Sequence, residues 1–173
     1  MIRPFLLAAS LIWCAASAAA PDAAPVEITW DDLMPADYRP DELFGDADLS
    51  TLKDGDPRAA ALLQKLQKLW QEAPVVQSLD NTQVRLPGFA IPLETDTKTA
   101  KSFILVPYYG ACIHVPPPPS NQIVLVRAPQ GAPIKEAFDM VWVTGLLRVE
   151  AQQTDVAHAA YTLDASLVEP YAE

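Results

Sequence analysis

Cysteine and histidine are scarce in this chain, with two of each among 173 residues. There is no Cys-x-x-Cys, so exchange of the thioredoxin type has no dithiol to run on. No His-Glu-x-x-His, nucleophile-elbow serine, EF-hand loop or phosphate-cradling glycine motif occurs either. Basic residues number 12 against 22 acidic ones, a formal charge of −10. That balance argues against phosphate backbones and anionic lipid as partners and leaves no basic groove for nucleic acid. After the opening residues, no segment approaches the ~20 continuous apolar positions a membrane helix needs.

What is present begins with a leader. Arg3 precedes the apolar run Phe5-Leu-Leu-Ala-Ala-Ser-Leu-Ile-Trp13, and Ala16-Ser17-Ala18 follows as an A-x-A cleavage site. The pattern is that of a secretory signal peptide over residues 1–18, and a periplasmic mature chain is expected. Leu11-Ile12-Trp13-Cys14 resembles a lipobox only superficially, because Trp13 is too large for the position before a lipidated cysteine. Loss of the leader removes Arg3 and Cys14, taking the charge to −11 and leaving Cys112 without an internal disulfide partner.

Residues 19–55, rich in alanine, proline and acid, read as an N-terminal arm, with Val26-Glu-Ile-Thr-Trp30 as an extended segment that docks on the main body. Residues 56–173 read as one domain. Asp56-Pro57 opens a helix by capping and by a proline whose missing N–H is harmless at the first position. Leu62, Leu63, Leu66, Leu69 and Trp70 form its apolar stripe, and Pro74 stops it.

From Val75 the period becomes that of strands. Val75–Leu79 and Gln83–Ile91 flank an Asp80-Asn81-Thr82 turn and predict a hairpin. Further strands are expected at Ser102–Pro107, Gln122–Val126, Phe138–Val149 and across Ala160–Val168, with Ala128–Pro133 as a loop. Gly88 and Gly145 sit inside strand patterns, where a closing barrel needs a bend or a bulge. The fold class is therefore mainly β (α+β): a small OB-like barrel preceded by one amphipathic helix and the arm.

The chemistry concentrates in Tyr108-Tyr109-Gly-Ala-Cys112-Ile-His114-Val-Pro116-Pro117-Pro118-Pro119-Ser-Asn121. Four prolines favour a stiff polyproline II form and hold what precedes them in place. Four readings of this loop stand side by side. Cys112 and His114, two residues apart, put a thiolate and an imidazole on one face of extended backbone with Cα atoms ~7 Å apart, a pair that zinc or copper(I) would accept. Two ligands with water elsewhere suit an exchangeable ion; a fuller set would need His158, Asp139, Glu94 or Asp155. Alternatively Cys112 is a nucleophile with His114 as base, for which no orienting group or oxyanion hole is visible. Tyr108, Tyr109, the prolines and Asn121 could instead form a protein-binding surface. Or Cys112 is a small buried hydrophobe and His114 a hydrogen-bonded anchor.

The Cys-x-His-Val-Pro-Pro-Pro-Pro motif, together with Leu86-Pro-Gly-Phe-Ala-Ile-Pro-Leu-Glu94 and Val141-Trp-Val-Thr-Gly145, resembles the DUF3299 family of small exported bacterial proteins. The resemblance spans roughly residues 75–170. It implies no assigned activity. It does imply a gene context of ABC-transporter-like subunits and a histidine-rich exported protein in zinc-responsive clusters. An accessory or binding role for an envelope ABC-type system follows as the expectation, with membrane subunits or another periplasmic protein as partners.

Overall fold

A computed structural model describes residues 24–39, 57–94, 99–111 and 118–172. The leader and the Cys112–Pro117 stretch lie outside them. Eight strands and one α-helix are present among the described residues: β1 (Val26–Glu27), α1 (Pro57–Gln71), β2 (Thr82–Pro92), β3 (Ala100–Val106), β4 (Val124–Ala132), β5 (Asp139–Arg148), β6 (Gln152–Gln153), β7 (His158–Ala159) and β8 (Tyr161–Pro170).

The main sheet runs β1-β2-β3-β4-β8-β5, and β2 also pairs with β5, so β2, β3, β4, β8 and β5 close into a barrel. The β4–β8 pair is parallel and the other barrel pairs are antiparallel. A small closed barrel with one preceding helix is the architecture the sequence predicts, and the barrel closes with five strands.

Strict alternation explains the interior. Val84, Leu86, Gly88 and Ala90 of β2 and Val141, Val143, Gly145 and Leu147 of β5 are buried, while the residues between them are only partly so. Phe103, Leu105, Val124, Val126, Tyr161 and Leu163 join them in the main core. Burying each such side chain stabilises by roughly 1.5–3 kcal/mol.

Gly145 answers a local demand. A Cβ there would overlap the Asp164 carbonyl oxygen and stand 2.8 Å from Ala165 Cα. Gly145 pairs with Ala165 while Thr144 pairs with Leu167, so Ser166 is the extra residue of a bulge. The Ser166 hydroxyl donates to the Thr144 carbonyl at 3.1 Å and fixes that offset.

The arm is part of the barrel wall. β1 pairs in parallel with β2 at Val84 and Arg85, beside the half of β2 that β3 does not reach. Ile28 and Leu33 are buried, and Trp30 Nε1 donates to the Pro87 carbonyl at 2.8 Å.

Two local expectations change. Val75–Leu79 is no strand: Gln77–Leu79 is a 3₁₀ turn, and β2 takes β1, β3 and β5 as partners instead. The Val76 N–H goes to the Tyr161 hydroxyl at 2.7 Å, which removes it from any ladder. β4 continues through the expected Ala128–Pro133 loop to Ala132, with Gly131 at φ +84. The last strand is present as expected, β8, with the bulge inside it.

Candidate functional site

β3 and β4 are apolar on both faces, and the outward side needs a cover. Ile104 and Val106 of β3, with Ile123 and Leu125 at the start of β4 and Ile91 of β2, form a second core outside the barrel. Ala111 on one side and Ala157 and Ala159 of the β6–β7 hairpin on the other complete it. The candidate loop therefore leaves the body at a fully buried Ala111 and returns at a buried Pro118. Cys112, His114, Pro116 and Pro117 lie between these two points, outside the described residues.

Beyond the prolines the chain makes a polar staple. The 3₁₀ turn Ser120–Gln122 is buried. Ser120 Oγ donates to the Gln71 carbonyl at the end of α1, Asn121 Nδ2 to the Pro74 carbonyl and Gln122 Nε2 to the Trp30 carbonyl, all at 2.8–3.0 Å. Asn121 Oδ1 has no partner among the described residues. The Ser120 carbonyl accepts from Ala160 N–H at 2.9 Å. Asn121 thus sits in the hinge of helix, arm and barrel.

Tyr108 and Tyr109 stand at the other end of the loop, both exposed. Tyr109 meets Phe89 edge-on at 6.1 Å and Phe138 at 4.9 Å, yet remains 72% exposed. Phe138 holds φ +69, a backbone region that L side chains avoid. A hydrogen bond from its N–H to the Ala90 carbonyl at 2.7 Å keeps it there.

Two of the three carboxylates named for a fuller metal set, Glu94 and Asp139, are engaged locally. Glu94 accepts from Lys101 N–H and Ser102 Oγ, and Asp139 accepts from Lys135 and Glu136 N–H. Among the described residues no three His, Cys, Asp or Glu side chains come together.

His158 has a different setting. It lies on β7 at a cleft of about 200 Å³ between the end of α1, Pro118–Ile123 and the β6–β7 hairpin. Gln67, Gln71 and Gln153 also line it. Sequence reading does not single out these glutamines and names His158 only as a possible further metal ligand. The available signal is Gln67-x-x-Trp70-Gln71, which puts two amides one turn apart beside an indole.

Among the described residues no helix is long and apolar enough to cross a membrane. The family model for proteins of unknown function DUF3299 matches residues 30–170. A solved DUF3299 family protein from Pseudomonas aeruginosa PAO1 is similar at 40% identity and a TM-score of 0.65, over 87% of this chain and 99% of that one. No curated protein matches. With a family model covering most of its length and a solved relative at this identity, the chain belongs to the DUF3299 family.

Proposed function

We propose that this chain is an exported accessory binding protein of an envelope ABC-type system, in which Cys112 and His114 hold one exchangeable transition-metal ion, zinc in the first place. The observation that carries the reading is the fixing of the loop at both ends, by buried Ala111 and by buried Pro118 with the staple that follows it. A donor pair between two such anchors has part of its ordering entropy already met by the barrel.

The donor chemistry fits the ion. A thiolate and an imidazole are good zinc ligands, and a structural centre would require four. Since no three-donor group exists among the described residues, the metal reading rests on the pair, with water or a partner's side chain filling the rest. Open positions suit an ion that is passed on. The leader supports a periplasmic address, and the mature charge of −11 suits a cation or a basic protein surface. The partners proposed are membrane subunits of the ABC-type system or another periplasmic protein.

Calorimetric titration of the reduced, leader-free protein with Zn²⁺ tests the reading, with Cys112→Ser in parallel. Saturable one-to-one binding that the serine variant loses is expected. Absence of binding by folded, reduced protein overturns it.

A protein-interaction module without metal is the second reading, and a specific observation favours it. An exposed tyrosine backed by two phenylalanines, one at a positive φ, is an unusual use of aromatic surface. Under this reading Cys112→Ser leaves partner capture unchanged, while Tyr109→Ala weakens it.

A further inference from the structure

The cleft beside α1 has a lining that points to a ligand class. Its polar groups are the amides of Gln67, Gln71 and Gln153, the imidazole of His158 and the Ser120 hydroxyl, and Trp70 forms part of its wall. Among the described residues no Asp, Glu, Lys or Arg lines it. A charged ligand would find no counter-charge there, whereas amides supply both donors and acceptors to a neutral one.

Hydrogen bonding settles which way His158 presents itself. Gln153 Nε2 donates to the Thr154 carbonyl at 2.8 Å, which fixes the amide's orientation. Gln153 Oε1 is then the atom 3.1 Å from His158 Nδ1, and a carbonyl oxygen can only accept. Nδ1 carries the proton, and in the neutral ring Nε2 is left as the acceptor. The hairpin that holds this pair is itself tied. Thr154 N–H and Oγ1 both bond the Ala157 carbonyl, and the Ala157 N–H returns to Thr154 Oγ1, all within 3.0 Å. The acceptor nitrogen is therefore positioned before any ligand arrives.

An uncharged set of planar amides, one fixed acceptor nitrogen and an indole wall matches vicinal hydroxyls on a ring whose C–H face packs against an aromatic. A volume of about 200 Å³ limits the ligand to a single small ring. We propose that this cleft binds one neutral pyranose unit, free or at the end of a glycan, with His158 Nε2 accepting from a sugar hydroxyl and Gln67 and Gln71 pairing with its neighbours. The site is independent of the metal reading.

Two-dimensional amide NMR of the leader-free protein in EDTA tests this, using glucose, N-acetylglucosamine, maltotriose and, as control, N-acetylglycinamide. For so small a ligand a Kd on the order of 1 mM is expected. Saturating shifts should appear at the side-chain amides of Gln67, Gln71 and Gln153. Tighter binding of maltotriose than glucose marks a glycan end, and equal binding marks a free sugar. His158→Ala should weaken binding about tenfold or more. Gln67→Ala, at an exposed helix position, should weaken it about threefold with an unchanged thermal transition. Absence of saturation by any sugar up to ~100 mM, equal shifts with N-acetylglycinamide, or full binding by both variants overturns the proposal.

Discussion

At the residue scale, Tyr161 shows how one side chain can join three parts of a chain. It is fully buried at the start of β8. Its hydroxyl accepts from Val76 N–H at 2.7 Å and donates to the Leu33 carbonyl at 2.8 Å, so the arm and the segment after α1 meet on one oxygen. Burial, offset by the Val76 bond, raises its pKa above the ordinary value. Tyr161→Phe keeps the ring and leaves two backbone groups without their partner, one of them in the buried arm contact. A loss of about 2 kcal/mol is expected in urea unfolding. A change under about 0.5 kcal/mol would mean that water satisfies both groups. Nothing in the sequence marks this tyrosine. Its partners lie 85 and 128 residues away, and only closure of the barrel brings them together. Ser120, Asn121 and Gln122 share that opacity: the sequence reads the first two as loop and Gln122 as the start of a strand, yet all three form a buried turn in which each supplies a tie.

At the element scale, the outer edge where β4, β5 and β8 meet carries a charge network. Arg127 reaches Glu150 at 3.1 Å and Asp164 at 3.7 Å, and Arg148 reaches Asp164 at 2.9 Å. Hydrogen bonding and charge from Arg127 hold the Glu150 carboxyl below its ordinary value of 4.5. A depressed carboxylate pKa stabilises the fold above the unfolded value, and that contribution is lost as pH falls through the folded one. Stability should therefore decline as pH drops below about 4.5. Arg127→Met should lower the urea midpoint at pH 7, flatten the decline below 4.5 and bring the two curves together at low pH. Parallel curves for the two proteins would remove the network as a cause. Salt should shrink the difference, because these groups are well exposed. The elements themselves were legible to different degrees. α1 starts at Pro57 as its Asp-Pro opening predicts, and β2 and β5 show in sequence the alternation they have in the barrel. Val75–Leu79, read as a strand, instead contains the Gln77–Leu79 turn, and the ladder positions beside β2 are filled from distant chain. The sequence singles out the loop of Cys112 and His114, two residues that lie outside the described ones. The loop's neighbours were not legible, since Gln153 and His158 reach α1 only through the sheet order.

At the scale of the whole molecule, the arm decides whether the barrel stands alone. β2 spans 11 residues; β3 pairs only with Phe89–Pro92, while β1 covers Val84 and Arg85. Removing residues 19–38 would expose that edge, open the cover over Leu86 and Leu105, and leave the Pro87, Gln122 and Tyr161 partners of Trp30 and Leu33 unsatisfied. Ile28, Trp30 and Leu33 together contribute roughly 6 kcal/mol of burial. That is comparable with the whole stability of a domain, about 5–15 kcal/mol. The truncated protein, keeping α1 and every barrel strand, should lose its cooperative urea transition or show it at a far lower midpoint. If it unfolds within about 1 kcal/mol of the intact chain, the arm is an ornament on a self-sufficient barrel. If it does not fold, the arm, the Ser120–Gln122 staple and Tyr161 form one closure, held in part by a Tyr161–Leu33 bond that spans 128 residues.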